Sequence, residues 1–247
     1  MSEENGYLER ADGERLAWRR VEGTGPTVVW LGGFKSDMVG AKAQALADWA
    51  VAKGRSYVRF DYLGHGESSG EFTAGTISRW REDALAVVDK LTTGRLVLVG
   101  SSMGGWLSCL VATARGLRVR SMVLIAPAAD FTSKLMAPEM TEVDRAVLAE
   151  TGVWMRPSEY GAPYPITRAL LEDGEIWSIL PGPVAIDLPI RILQGGADLD
   201  VPWRHALALA EAIKGQDVVF TLIKDGDHRL SRPQDIARMI GAVEELS

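Results

Sequence analysis

The chain has 247 residues, 33 acidic and 27 basic, for a net charge of −6. This length suits one large domain, or one domain with an insertion, and allows a substantial core without cross-links. One cysteine, Cys109, and three histidines, His65, His205 and His228, exclude an internal disulfide and zinc sites built from several Cys and His ligands.

Excess negative charge argues against nucleic-acid binding, which needs Lys and Arg to replace counterions. A single cysteine suits a reducing compartment. The polar, acidic start Met1-Ser2-Glu3-Glu4-Asn5 does not read as a signal peptide. No apolar run is long enough for a membrane-spanning helix. The expectation is a cytoplasmic enzyme or binding protein.

In chain order, residues 7–10 and 15–21 flank Ala11-Asp12-Gly13 and predict a β-hairpin, since Asp-Gly favours tight turns. Short apolar runs then follow at 27–31, 57–60, 96–99, 122–125, 190–193 and 218–223. Near-continuous apolarity predicts strands covered on both faces, as in a parallel sheet. Helical patterns lie between them at 42–53, 77–91, 102–115, 203–214 and 233–246. For the last of these, Ser231 and Gln234 have the spacing of a capping box. The alternation predicts an α/β fold with a mostly parallel central sheet flanked by helices.

The rhythm breaks between Asp130 and Asp187, where no strand is evident and six of the 11 prolines fall. Its aromatics and methionines, including Trp154, Tyr160, Tyr164, Trp177, Met136, Met140 and Met155, argue against disorder. The segment reads as a mostly helical cap (130–187) inserted into a core formed by 1–129 and 188–247.

The stretch that carries chemistry is Gly100-Ser101-Ser102-Met103-Gly104, the G-x-S-x-G spacing of a nucleophile elbow. An apolar strand runs into it and a helical pattern runs out. Such a serine sits on a sharp turn with its hydroxyl exposed, and the flanking glycines let strand and helix approach. The following helix also directs its N-terminal amides toward Ser102. Nucleotide-binding fingerprints are missing.

A serine nucleophile needs a base. His228, in Asp225-Gly226-Asp227-His228, comes late enough for the chain order Ser, acid, His. His65, in a turn-rich loop, and His205, on the expected solvent side of a helix, read as structural. Asp198 follows the apolar run 190–193 and is the favoured acid. Asp130, after 122–125, is its rival, and Asp200 is expected to open the next helix. Oxyanion donors are expected from the amide of Met103 and from Leu31-Gly32-Gly33-Phe34, with Phe34 favoured over Gly33.

These motifs resemble the α/β-hydrolase superfamily along nearly the whole chain. Arg59-Phe60-Asp61-Tyr62-Leu63-Gly64-His65-Gly66-Glu67-Ser68 and Gly195-Gly196-Ala197-Asp198-Leu199-Asp200-Val201-Pro202 carry the likeness alongside the elbow. Ser78-Arg79-Trp80-Arg81-Glu82-Asp83, Gly152-Val153-Trp154, Pro157-Ser158-Glu159-Tyr160 and Val201-Pro202-Trp203 are similar to the mitochondrial acyl-protein thioesterase and acyl-glucuronide esterase group and its bacterial relatives. The resemblance implies a catalytic triad of Ser102, Asp198 and His228.

The expected reaction is hydrolysis of a small-molecule acyl ester or thioester through an acyl-enzyme, with no metal or organic cofactor. Lactone, amide or carbon–carbon bond hydrolysis on the same residues, or a silent ligand-binding fold, are the alternatives. Within the cap, Trp154, Met155 and Trp177, with Ile179 and Leu180, are candidates to line an acyl pocket. Arg156 is a candidate to meet an acidic leaving group.

Overall fold

In the computed structural model, which describes residues 3–157, 163–180 and 182–247, the apolar runs form strands of an eight-stranded sheet. The hairpin is β1 (Glu3–Glu9) with β2 (Arg15–Val21), and Gly13, at φ 86°, closes its turn. Then come β3 (Thr24–Leu31), β4 (Arg55–Phe60), β5 (Leu96–Ser101) and β6 (Val119–Ile125). The chain returns to the sheet after residue 187 with β9 (Ile190–Gly195) and β10 (Val218–Ile223). The order is β1-β2-β4-β3-β5-β6-β9-β10, antiparallel at the first two pairings and parallel thereafter.

Alternate side chains of each strand feed two cores, as the strand period of two requires. Val97 and Val99 of β5 face α1 (Ala41–Lys53) and α8 (Pro233–Leu246). Leu96 and Leu98 face α2 (Ile77–Leu91) and α3 (Met103–Ala114), whose Trp80 and Trp106 are fully buried. Burying each such aliphatic side chain contributes roughly 1.5–3 kcal/mol, so covering both faces is what makes the short strands hold. With the sheet fixed, every loop leaving a parallel strand opens on the same end.

Between β6 and β9 lie a π-helical turn (Thr132–Met136), α4 (Ala137–Glu139), α5 (Glu142–Thr151), β7 (Val153–Arg156), β8 (Tyr164–Thr167) and α6 (Arg168–Ile176). The sequence suggested no strand here, yet β7 and β8 pair antiparallel. Their prolines masked them. Pro165 sits in β8 opposite Met155, and in a two-stranded ribbon a residue without an N–H can face away from its partner. Tyr160 and the stretch 158–160 lie outside the described residues.

Two further expectations change. The Ser231–Gln234 capping box is not formed. Helix α8 starts after Arg232, with Pro233 in its first turn and no side-chain cap. Ser231 instead donates to the Arg229 carbonyl at 3.1 Å and lies 3.5 Å from the Lys42 ammonium. Asp200 does not open α7 (Trp203–Ala212), which is preceded by Pro202.

Asp130 ties the segment after β6 back to itself. Its backbone is left-handed at φ 53° and its side chain is fully buried. The carboxylate accepts from the Ser178 hydroxyl (2.6 Å) and from the amides of Ile179 (2.9 Å) and Leu180 (2.8 Å). Asp130→Ala should therefore lower the unfolding free energy by about 1–3 kcal/mol, because the buried Leu180 amide and the half-buried Ile179 amide lose their carboxylate acceptor. Urea titration checks this; an unchanged midpoint would refute the clamp.

Candidate active site

The site begins at the junction of β5 and α3. Ser102 lies between them with φ 54° and ψ −118°, a region that costs a non-glycine residue about 1–3 kcal/mol. Neighbouring backbone compensates. The Ser102 amide donates to the Ile125 carbonyl at 2.9 Å, and its own carbonyl accepts from Gly105 (2.9 Å) and Ala128 (3.1 Å). The turn is possible because two residues lack a Cβ. A Cβ on Gly104 would stand 2.0 Å from the Leu31 carbonyl oxygen, and one on Gly100 2.3 Å from the Gly104 carbonyl oxygen.

His228 reaches the serine from the loop between β10 and α8. The Ser102 hydroxyl donates to His228 Nε2 at 3.1 Å, and His228 Nδ1 donates to Asp198 Oδ2 at 2.9 Å. A carboxylate accepts only, so the proton sits on Nδ1 and leaves Nε2 as the acceptor. Asp198 follows β9, and its side chain is fully buried. Oδ1 accepts from the amides of Asp200 (3.0 Å) and Val201 (2.8 Å), and Oδ2 also takes an N–H from Gln194 Nε2 at 3.0 Å. Asp198, rather than Asp130, is thus the carboxylate on His228.

Gln194 was not singled out from the sequence. Its amide bridges Asp198 and the Val201 carbonyl (2.9 Å), holding the acid's loop closed. The available signal was a polar residue near the end of β9, directly after the run 190–193 and four positions before the acid.

The other histidines lie apart from this chain of hydrogen bonds. His205 is half-buried rather than solvent-facing, and its Nε2 donates to the Ala129 carbonyl at 2.7 Å. Burial lowers its pKa. His65 is buried, with Nδ1 on the Leu63 carbonyl (3.0 Å) and Nε2 on the Lys35 amide (3.1 Å). Burial, reinforced by the nearby Lys35 charge and opposed by the Leu63 hydrogen bond, pulls its pKa down to about 4.

Next to Ser102 runs the loop after β3. A Cβ on Gly33 would stand 3.3 Å from Ser102 Cβ, so this backbone lies directly against the serine. Among the described residues, the amides of Phe34 and Met103 have no internal acceptor. Both residues line the cleft at Ser102. Met103 is the first residue of α3, where helix N–H groups lack partners in any case.

The cleft has a volume of about 600 Å³ and contains Ser102 and His228. One wall is apolar, formed by Phe34, Phe131, Leu135, Met136 and Tyr164. The Phe34 ring sits 5.0–6.1 Å from the rings of Phe72, Phe131, Trp80 and Tyr164. Asp37, Lys42 and Arg229 also line the cleft. Lys42, whose ammonium donates to the Arg229 carbonyl, has its pKa lowered to about 8 by burial, partly offset by Asp227.

The proposed acyl-pocket residues fall elsewhere. Trp154 is buried in the core and Met155 is 53% exposed. Trp177 donates to the Ser78 hydroxyl at 2.6 Å and accepts from Trp106 Nε1 on its carbonyl, joining α6 to α2 and α3. Ile179 and Leu180 meet Asp130 through their backbones. None of the five lines the cleft. Arg156 does, but its guanidinium forms a two-pronged pair with Glu139 at 2.8 and 3.0 Å.

Asp198, Asp200 and His228 bring possible metal ligands within 4.8 Å of one another. Both Asp198 oxygens already accept two hydrogen bonds each, and the His228 nitrogen facing them carries a proton. A cation there would have to break that set.

The family model described as serine aminopeptidase, S33, matches residues 26–172. The mitochondrial palmitoyl-protein thioesterase ABHD10 of Bos taurus is 34% identical over 244 residues, covering 97% of this chain and 79% of that protein. The solved structure of mouse α/β hydrolase domain-containing protein 10 has a TM-score of 0.91 at 33% identity, covering 98% of both chains. A crystal structure of a protein from Agrobacterium vitis S4 reaches 0.96 at 45% identity, covering 100% of this chain and 99% of that one.

The buried imidazole of His65 makes stability depend on pH in a defined sense. Between its unfolded value of 6.5 and its folded value of about 4, the unfolded chain holds a proton that the folded chain lacks. Stability from this group therefore falls as pH drops through that window. Asp61 and Asp83, raised by burial from 3.8 to about 6, act oppositely there, because their folded forms bind the proton first. His65→Gln removes only the first contribution. The gap in urea midpoint between wild type and His65→Gln should shrink from pH 6.5 to 4, and a constant gap would contradict a neutral buried ring.

Proposed function

The chain belongs to the serine aminopeptidase S33-type family of α/β hydrolases, together with the ABHD10 thioesterases, and from that premise we propose that it hydrolyses carboxylic thioesters and esters through an acyl-enzyme on Ser102. The observation that carries this reading is the unbroken set of hydrogen bonds from the Ser102 hydroxyl through His228 to Asp198.

His228 Nε2 takes the hydroxyl proton as Ser102 Oγ attacks the acyl carbonyl carbon. Asp198 keeps the Nδ1–H tautomer and stabilises the imidazolium that forms. The amides of Phe34 and Met103 receive the oxyanion; losing one such donor typically costs about 10²–10³ in rate. His228 then protonates the departing alkoxide or thiolate. Water, deprotonated by the same nitrogen, attacks the acyl carbonyl in turn and releases the acid and Ser102.

The apolar wall of Phe131, Leu135, Met136 and Tyr164 supports an aliphatic or aromatic acyl group, and the cleft volume lies within the range usual for small-molecule sites. The named activity of the ABHD10 relatives supports a thioester with a long acyl chain.

A fluorophosphonate probe should label wild type and leave Ser102→Ala unlabelled. Asp198→Asn should lower kcat about 10³–10⁴-fold, because the wrong tautomer faces Ser102. Nitrophenyl esters of graded length and acyl-CoAs should be cleaved with kcat/KM rising from acetyl to longer chains. A folded wild type that neither labels nor turns over any of these would overturn the reading.

A further inference from the structure

We propose that His65 is a positioning residue for the oxyanion hole: its Nε2 accepts the Lys35 amide and thereby holds the Phe34 amide aimed at the reacting carbonyl. The inference rests on the reading of Phe34 as an oxyanion donor.

The geometry is a bridge between two loops. His65 sits in the loop after β4, and Lys35 in the loop after β3. One ring nitrogen meets a carbonyl, which can only accept, and the other meets an amide, which can only donate. Both bonds are made together only by a neutral ring with its proton on Nδ1. Tyr62, Phe72 and Trp80 pack edge-on around that ring at 5.3–5.7 Å. The Trp80 indole also donates to the Leu63 carbonyl at 3.2 Å, fixing the acceptor that orients Nδ1.

The position of Lys35 explains what the bridge holds. Its backbone has φ 54°, which is costly for a residue with a Cβ. Without an acceptor at its amide, the strand exit would relax toward ordinary φ and rotate the peptide units on either side of Phe34. On the other flank, Gly33 packs against Ser102, and its carbonyl accepts from the Ser36 amide at 3.2 Å. Phe34 is thus pinned before and after. Asp61, from the same loop as His65, fixes the far end by accepting the Met38 amide at 2.7 Å.

The chemistry of the acceptor matters as much as its place. A carboxylate at this point would set a full negative charge near the developing oxyanion and oppose it. An imidazolium would offer no acceptor. A buried, neutral imidazole supplies the lone pair without the charge.

The test compares two amides of different reach. His65→Gln can place an acceptor where Nε2 stands. His65→Asn reaches only the Nδ1 position, so it can satisfy Leu63 while leaving the Lys35 amide unbound. Active sites are titrated with a fluorophosphonate, so that misfolded molecules drop out. Turnover of a nitrophenyl ester is then expressed per titrated site.

His65→Asn should lose about 10–100-fold in kcat with KM little changed, a fraction of the loss of a whole oxyanion donor. Its affinity for a trifluoromethyl ketone, which forms a tetrahedral oxyanion on Ser102, should fall by a similar factor. His65→Gln should stay within about threefold of wild type on both measures, the pattern expected of an uncharged acceptor and not of bulk filling alone. Equal behaviour of the two variants, whether both active or both impaired per site, overturns the proposal. If Asn does not fold, His65→Phe, which keeps the ring volume and lacks the acceptor, takes its place with the same expectations. An inert wild type would instead count against the esterase reading itself.

Discussion

The arrangement depends on how closely two pieces of backbone approach at the elbow. Ser102 can hold its left-handed conformation only because α3 passes within contact of β3 at Gly104 and of β5 at Gly100, two approaches open only to residues without a Cβ. Once the approach is made, the loop after β3 lies against Ser102 and the first amides of α3 open toward the same point. The strain at one residue is held by its backbone bonds to Ile125, Gly105 and Ala128. The close approach sets where the hydroxyl points and where the amides that face it stand.

Around this fixed point, polar groups are placed by other polar groups, each with a direction. Asp198 is held by backbone amides and Gln194, so it presents one oxygen to His228. His228 is followed by Arg229, whose carbonyl takes the Lys42 ammonium from the start of α1. Asp198 is held by neighbours two to four residues away, whereas the bonds of His228 to Asp198 and Ser102 and of Lys42 to Arg229 span 30, 126 and 187 positions. Donors that accept nothing and acceptors that donate nothing leave a single pattern of protons, which is why the imidazoles of His65 and His228 both carry theirs on Nδ1 for unrelated reasons.

Much of this was legible from the chain because it is local. The strand running into Gly100-Ser101-Ser102-Met103-Gly104 and the helix running out of it are read from adjacent residues, as are the turns holding Asp198 and His228. The scarcity of histidine did the rest. What was not legible depends on distant partners. Trp177 looks like a cleft residue by type, yet its indole is taken by Ser78, 99 positions away. The apolar wall comes instead from Phe131, Leu135 and Met136, which directly follow β6 and so open on the same end as the elbow. Ser231 looks like a helix cap until Lys42 lies beside it. Pro165 looks like a strand breaker until it is seen at the margin of a ribbon of two strands.

The clamp at Asp130 gives the chain between β6 and β9 a property of its own. Asp130 grips residues 178–180, so a stretch of about 50 residues leaves and rejoins the sheet through one closed ring of hydrogen bonds. The entropy of closing such a ring grows only with the logarithm of its length, so that doubling it costs about 0.6 kcal/mol. Closure therefore constrains the length inside the ring only weakly, while Trp154, Ile166 and Leu170 still fill the core and the elbow, the acid loop and the histidine loop lie outside the ring. The architecture sets Ser102, Asp198 and His228 outside the ring and Phe131, Leu135, Met136 and Tyr164 inside it, so side chains that shape what enters the cleft are carried on a different stretch from those that react there.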